Sequence, residues 1–168
     1  VRANGLRRRV LELHADDIEE RDGVRVTSLA LTAVTVACTS PMGFAGALTV
    51  LDSALRAGVS RRSLELVLQS KRNGIGVARR AFEFADSGAA NPGESWSRAQ
   101  MILGGIPRPR LQYRFRDPDG NFVARSDFDW DGQVVGEFDG YGKYFDYNSG
   151  TRTAFDVLRD EKRREARL

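Results

Sequence analysis

LQYRFRDPDGNFVARSDFDWDGQVVGEFDGY, residues 111–141, decides the fold. Leu111, Tyr113 and Phe115 alternate with polar residues, the two-residue period of a half-buried strand. Asp117-Pro118-Asp119-Gly120 is turn chemistry: proline presets one dihedral and glycine supplies a left-handed one, folding the chain back into Asn121 to Trp130. A second tight turn, Asp131-Gly132, leads into Gln133 to Phe138. The stretch therefore predicts three antiparallel strands. Along the second, Phe122, Ala124, Ser126, Phe128 and Trp130 share the more apolar face, and Val123, Arg125, Asp127 and Asp129 share the other. On the third, Val135, Glu137 and Asp139 lie opposite Val134 and Phe138, so strands in adjacent register bring Asp127 beside Glu137.

Upstream of the strands, Pro92 to about Leu103 reads as a helix with Trp96, Ala99 and Leu103 on one face, ended by Gly104-Gly105. Asn91-Pro92-Gly93-Glu94 has the form of a capping box, with proline at the first helical position. Downstream, the meander breaks over 140–150, and Thr151 or Thr153 starts a charged terminal helix. The small and polar residues from Asp86 to Gly93 mark a boundary. The predicted fold class is α+β, with a mostly helical region over 1–90 and a helix, three-strand meander and helix over 91–168. Within the first region, Arg7 to Leu13 and Gly23 to Val26 read as a short strand pair separated by an acidic turn, Asp16 to Asp22. Helices follow from Ser28 to about Cys38, around Phe44, Leu48, Leu51 and Leu55 to near Gly58, from Ser60 along Leu64, Val67 and Leu68, and over about Val77 to Ala85.

Composition narrows the class of protein. The chain has 168 residues, 41% of them hydrophobic, enough for one ordinary core or a core with a small helical annex. The longest apolar stretch, Leu29 to Cys38, is far short of the roughly 20 residues that cross a bilayer, so no membrane partner is expected. No secretory signal precedes it, and a cytoplasmic location is expected. The chain does not begin with Met, which is compatible with a fragment of a longer protein. A single cysteine, Cys38, excludes an intramolecular disulfide and a cysteine zinc site. His14, the one histidine, is far in sequence from the acidic stretch and is assigned no role.

Charge is unevenly distributed although its net value is only +3. From Asp117 to Asp139 there are seven acidic residues and one basic residue, Arg125. Arg98, Arg108, Arg110, Arg114 and Arg116 precede this stretch without an intervening acid, and Arg152, Arg159, Lys162, Arg163, Arg164 and Arg167 follow it. Acids between basic flanks suit a metal centre rimmed by contacts to a phosphate backbone, and equally suit polar hairpin turns. Carboxylates as close as Asp127 and Glu137 would repel unless a divalent cation joined them, and their hard oxygens suit Mg²⁺ or Mn²⁺. Such an ion activates water and offsets charge on a phosphate under attack. Arg61-Arg62 and Arg79-Arg80 read as DNA contacts or as solvated helix faces.

Arg125-Ser126-Asp127-Phe128-Asp129-Trp130 followed by Val134-Val135-Gly136-Glu137-Phe138-Asp139-Gly140-Tyr141 resembles the PD-(D/E)XK nuclease superfamily, and within it the very-short-patch repair (Vsr) endonucleases and their bacterial relatives. The resemblance covers about Pro92 to Leu168 and implies an α/β/α restriction-endonuclease-like core. It implies DNA as substrate, and Asp127, Glu137 and Asp139 as metal ligands in preference to Asp129. Glu94 and Gln112 also occupy family-like positions, although capping alone would account for Glu94. The sequence departs from the pattern at Asp139, where a lysine is expected. Phe155, Leu158 and Lys162 fall at i, i+3 and i+7, so Lys162 is expected on the face of the terminal helix that meets the sheet and is the candidate for a displaced catalytic lysine, with Lys143 second. A solvated charge run is the other reading of Lys162. The resemblance also implies a further strand and helix after the terminal helix, so a truncated carboxyl end is expected. Asp22 to Ser28 and Leu31 to Val34 resemble, more loosely, proteins related to the AbiEi antitoxins of abortive-infection systems.

Two functions are therefore expected to compete: a Mg²⁺- or Mn²⁺-dependent DNA endonuclease, and a catalytically inactive DNA-binding regulator or antitoxin. Retention of three acids favours the first, and the missing lysine favours the second. Both leave room for a homodimer, and the second for a toxin partner.

Overall fold

The computed structural model describes residues 2–3, 6–7, 10 and 13–139. The terminal helix expected after Thr151, with Lys162, and the loop bearing Lys143 and the three tyrosines lie outside these residues. The described chain is mixed α+β. A two-residue pair, β1 (Arg2–Ala3) and β2 (Leu6–Arg7), precedes a 3₁₀ turn at Ala15–Asp17 and a hairpin of β3 (Ile18–Arg21) and β4 (Val24–Thr27). Then come α1 (Leu29–Cys38), α2 (Gly43–Arg56), α3 (Arg61–Leu68), α4 (Ile75–Phe84) and α5 (Pro92–Leu103). An antiparallel sheet closes the described chain, with β5 (Arg110–Arg116), β6 (Phe122–Trp130) and β7 (Val134–Gly136) side by side in that order. No described helix is long and apolar enough to cross a membrane.

The helix starts follow from capping. Ser28 Oγ accepts the Leu31 amide at 3.3 Å and Ser60 Oγ accepts that of Ser63 at 3.0 Å, each satisfying a first-turn donor. Arginines serve the opposite ends. Arg61 donates to the carbonyls of Ala85 and Phe82 at the end of α4, and Arg79 donates to Leu68 at the end of α3. These two side chains are thus engaged in helix termination. Val34, Ala47, Leu48, Leu51, Leu64, Ala78, Ala81 and Ala99 are fully buried where the five helices meet, and the many alanines let the backbones approach closely. The Asn73-Gly74 turn shows how tight this is: Gly74 has φ +78°, and a Cβ there would stand 2.0 Å from the Cys38 carbonyl oxygen.

The amino-terminal strand pair differs from expectation. Ile18 to Arg21, read from sequence as part of an acidic turn, is the strand that pairs with Val24 to Thr27. The reason is Asp22-Gly23, whose φ values of +52° and +77° make the two-residue primed turn that matches the twist of a hairpin. Leu6–Arg7 instead pairs with Arg2–Ala3, and neither Val10 nor Leu13 is in a strand.

α5 is the element that meets both the helices and the sheet. Its Ala99 is in the helical core, with Trp96 and Ile102 against it, whereas Leu103 is half exposed. A buried ion pair fixes its position. Arg98 Nη2 donates to both oxygens of Asp52 on α2, at 2.7 and 2.6 Å, and Nη1 donates to the Phe84 carbonyl at 2.7 Å. The Asp86 amide supplies Asp52 with a further bond at 2.8 Å.

Candidate active site

The three-stranded sheet forms in the expected order, with ladder partners Leu111 and Phe128, Tyr113 and Ser126, and Phe115 and Ala124. These residues define one face, on which Ala124, Ser126 and Phe128 are buried. Phe122 leaves that face. A register shift between Phe115 and Arg116 makes Phe122 the partner of Arg116, so it is exposed and lies beneath the Arg114 guanidinium, 5.2 Å from its ring centre.

Gln112, Arg114, Arg125, Asp127 and Asp129 occupy the other face. Asp129 is completely buried and spent on structure: Arg110 Nε donates to it at 2.7 Å, and the Gly132 amide at 3.0 Å. That leaves Asp127 as the carboxylate of this strand with a place in a site. Its Oδ1 accepts from Gln112 Nε2 at 2.9 Å, and the same nitrogen donates to Glu94 Oε2 at 2.9 Å. One neutral amide therefore bridges a carboxylate from the first turn of α5 and one from the middle of the sheet.

Each part of this bridge has a local cause. Asn91 caps α5 by accepting the Glu94 amide at 3.0 Å. Glu94 returns to the Asn91 side-chain amide at 2.6 Å and to the backbone amide of Ala90 at 2.7 Å, one residue earlier than a standard capping box would place it. Glu94 is only 3% exposed. Burial pushes its carboxyl above the ordinary range; the neighbouring Asp127 adds to the rise, while bonds from Ala90 and Gln112 and the charge of Arg125 oppose it. Gln112 has φ +51° inside a strand, a left-handed conformation costing about 1–3 kcal/mol for a side-chain-bearing residue. Its Oε1 is buried with no hydrogen-bond partner. Strain and an orphaned polar atom thus coincide at one residue, the usual mark of a functional constraint.

The remaining candidates sit at the edge of this network. β7 pairs with β6 through Phe128 and Gly136 and through Asp129 and Val135, so the ladder runs toward Asp127 and Glu137 but ends one residue short. The Phe138 amide donates to Asp127 Oδ2 at 2.9 Å. The Phe138 ring packs on Gly93, where a Cβ would come within 2.2 Å of it. Glu137 and Asp139 are exposed. Among the described residues no group of three or more His, Cys, Asp or Glu is placed to hold a metal ion. The donor chemistry around Gln112 nevertheless fits a hard cation: two carboxylates converge on one point, beside a buried carbonyl oxygen that lacks a partner. Reading the sequence alone missed the strain at Gln112 and the contact between Gly93 and Phe138. The second did leave a signal, a glycine in a first helical turn already well capped by Asn91 and Pro92.

No family model matches the chain, and no solved structure matches it. Two uncharacterised proteins, from two strains of Mycobacterium tuberculosis, are each 33% identical to it over 150 residues, 87% of this chain and 52% of the relative. The chain thus spans about half the length of the curated relatives it matches.

Proposed function

We propose that this chain carries a metal-dependent endonuclease centre of the restriction-endonuclease-like type, acting on DNA. The observation that carries the reading is the Gln112 amide shared by Glu94 and Asp127, with its own oxygen buried and partnerless. The order α5, β5, β6, β7 supports it, since helix followed by an antiparallel meander is the arrangement the resemblance implies. Asp127 and Glu94 would hold Mg²⁺ or Mn²⁺, with Glu137 and Asp139 from the segment after β7 completing the set. When bound, the ion supplies an activated water and offsets negative charge on the phosphate. The chain's own groups do the rest. Gln112 keeps the two carboxylates together, the Phe138 amide fixes the orientation of Asp127, and α5 holds Glu94 out of water. Lys162, the displaced lysine of the resemblance, or a second metal ion would stabilise the transition state.

The competing reading is a DNA-binding regulator that lacks catalysis, and the residue that favours it is Asp139 at the position of the usual lysine. Metal binding separates the two, because a protein that only grips phosphates needs arginines and no ion. Titration of the full chain with Mn²⁺, followed by electron paramagnetic resonance, should show a bound ion that Asp127→Asn removes. Equal Mn²⁺ binding by parent and variant, or none by either, would support the regulator.

A further inference from the structure

Arg114 and Arg125 are direct partners across β5 and β6, on the face that carries Gln112 and Asp127. Like charges in directly opposite positions disfavour strand pairing. Both side chains are exposed, and among the described residues neither forms a hydrogen bond or ion pair. The other arginines of the flank are engaged. Arg98 is buried on Asp52, Arg110 holds Asp129, and Arg116 donates to the Gly120 carbonyl at 2.7 Å. The pair is one alternation from the acid centre, about 6.6 Å along the strand from Gln112 and Asp127. Its charge reaches that centre, since Arg125 acts electrostatically on Glu94. Phe122, 53% exposed and beneath Arg114, offers an aromatic platform beside the two cations.

From this we infer that Arg114 and Arg125 clamp one phosphodiester group of a nucleic-acid strand, adjacent to the phosphate at the Gln112 centre, with Phe122 stacking against a neighbouring base. Two guanidiniums turned to one side present a planar set of donors matched to a phosphate, and the bound anion removes their mutual repulsion. An exposed aromatic ring among arginines is a platform for an unpaired base. The inference rests on the nuclease reading for the identity of the neighbouring phosphate, but the clamp itself needs neither metal nor cleavage.

The test is binding of a fluorescent oligonucleotide by the full chain in EDTA, where hydrolysis does not intervene. Arg114→Gln and Arg125→Gln should each weaken binding about tenfold and reduce the slope of log K against log salt by about 1. The double variant should lose less than the product of the two, since both act on one phosphate. Arg25→Gln, an exposed arginine on β4, is the control and should change little. Arg125→Gln should leave Tm unchanged or raise it. The clamp is overturned if the parent binds no oligonucleotide, if the two variants lose no more than the control, or if Arg125→Gln lowers Tm sharply, which would make that residue structural. Arginine-dependent binding without cleavage under any metal would keep the clamp and remove the nuclease. Cleavage with binding indifferent to both arginines would do the reverse.

Discussion

Glu94 carries its charge in a place that resists it, 3% exposed and within reach of a second carboxylate. A carboxyl with a raised folded-state pKa stabilises the fold fully below its unfolded value, and that contribution is lost as pH rises through the folded value. Glu94→Gln abolishes the titration and keeps a side chain able to accept from Ala90. In EDTA, the Tm of the variant relative to the parent should therefore improve steadily as pH is raised from about 4 to about 7. A difference independent of pH would show that Glu94 has no raised pKa. Asp127 was legible as a candidate from strand alternation beside Glu137, whereas Glu94 was legible as a helix cap and as a position in the resemblance. Gln112 was legible only as a position in a resemblance, because strand alternation says nothing of a left-handed backbone or of an amide caught between two acids. Phe122 was misplaced for a related reason: a one-residue register shift reverses the face of everything beyond it.

At the scale of elements, α5 links what the sequence divides at Asp86 to Gly93. Its amino end supplies Glu94 to the sheet, and its Arg98 is buried on Asp52 of α2. Removing one partner of a buried pair leaves an uncompensated charge, so Asp52→Ala should cost about 3–5 kcal/mol in urea unfolding. Asp52→Leu combined with Arg98→Met should cost clearly less. Equal costs would mean that the pair contributes beyond its own desolvation. Gly93→Val places side-chain atoms where the Phe138 ring lies, and should destabilise by about 1–3 kcal/mol through overpacking. Because the Phe138 amide also holds Asp127, activity should fall further than the lost stability explains. The helices themselves were legible, since Ser28, Ser60 and Asn91 are caps in the sequence and in the fold. The first hairpin was half legible: Gly23 to Val26 was read as a strand, but the charged residues of β3 hid its strand character and Asp22 was read as the end of a longer turn.

Across the whole molecule, the shared helix predicts shared stability. Trp96 lies against the helical core and Trp130 is in β6, its indole donating to the Pro107 carbonyl at 2.8 Å. In a Trp96→Phe variant, Trp130 fluorescence should follow the same denaturation curve as helical circular dichroism. Two separated transitions would show that α5 does not couple the helices to the sheet. On the proposed reading, function at this scale depends on the acid centre and the arginine face acting together on one strand of nucleic acid. The measurement that tests this most directly is cleavage of supercoiled plasmid by the full chain with Mg²⁺, with Mn²⁺ and with EDTA, beside Asp127→Ala and Glu137→Ala. The account predicts nicking that requires the metal and is lost in both variants. Absence of nicking, with DNA binding that depends on salt but not on metal or on either substitution, would contradict it.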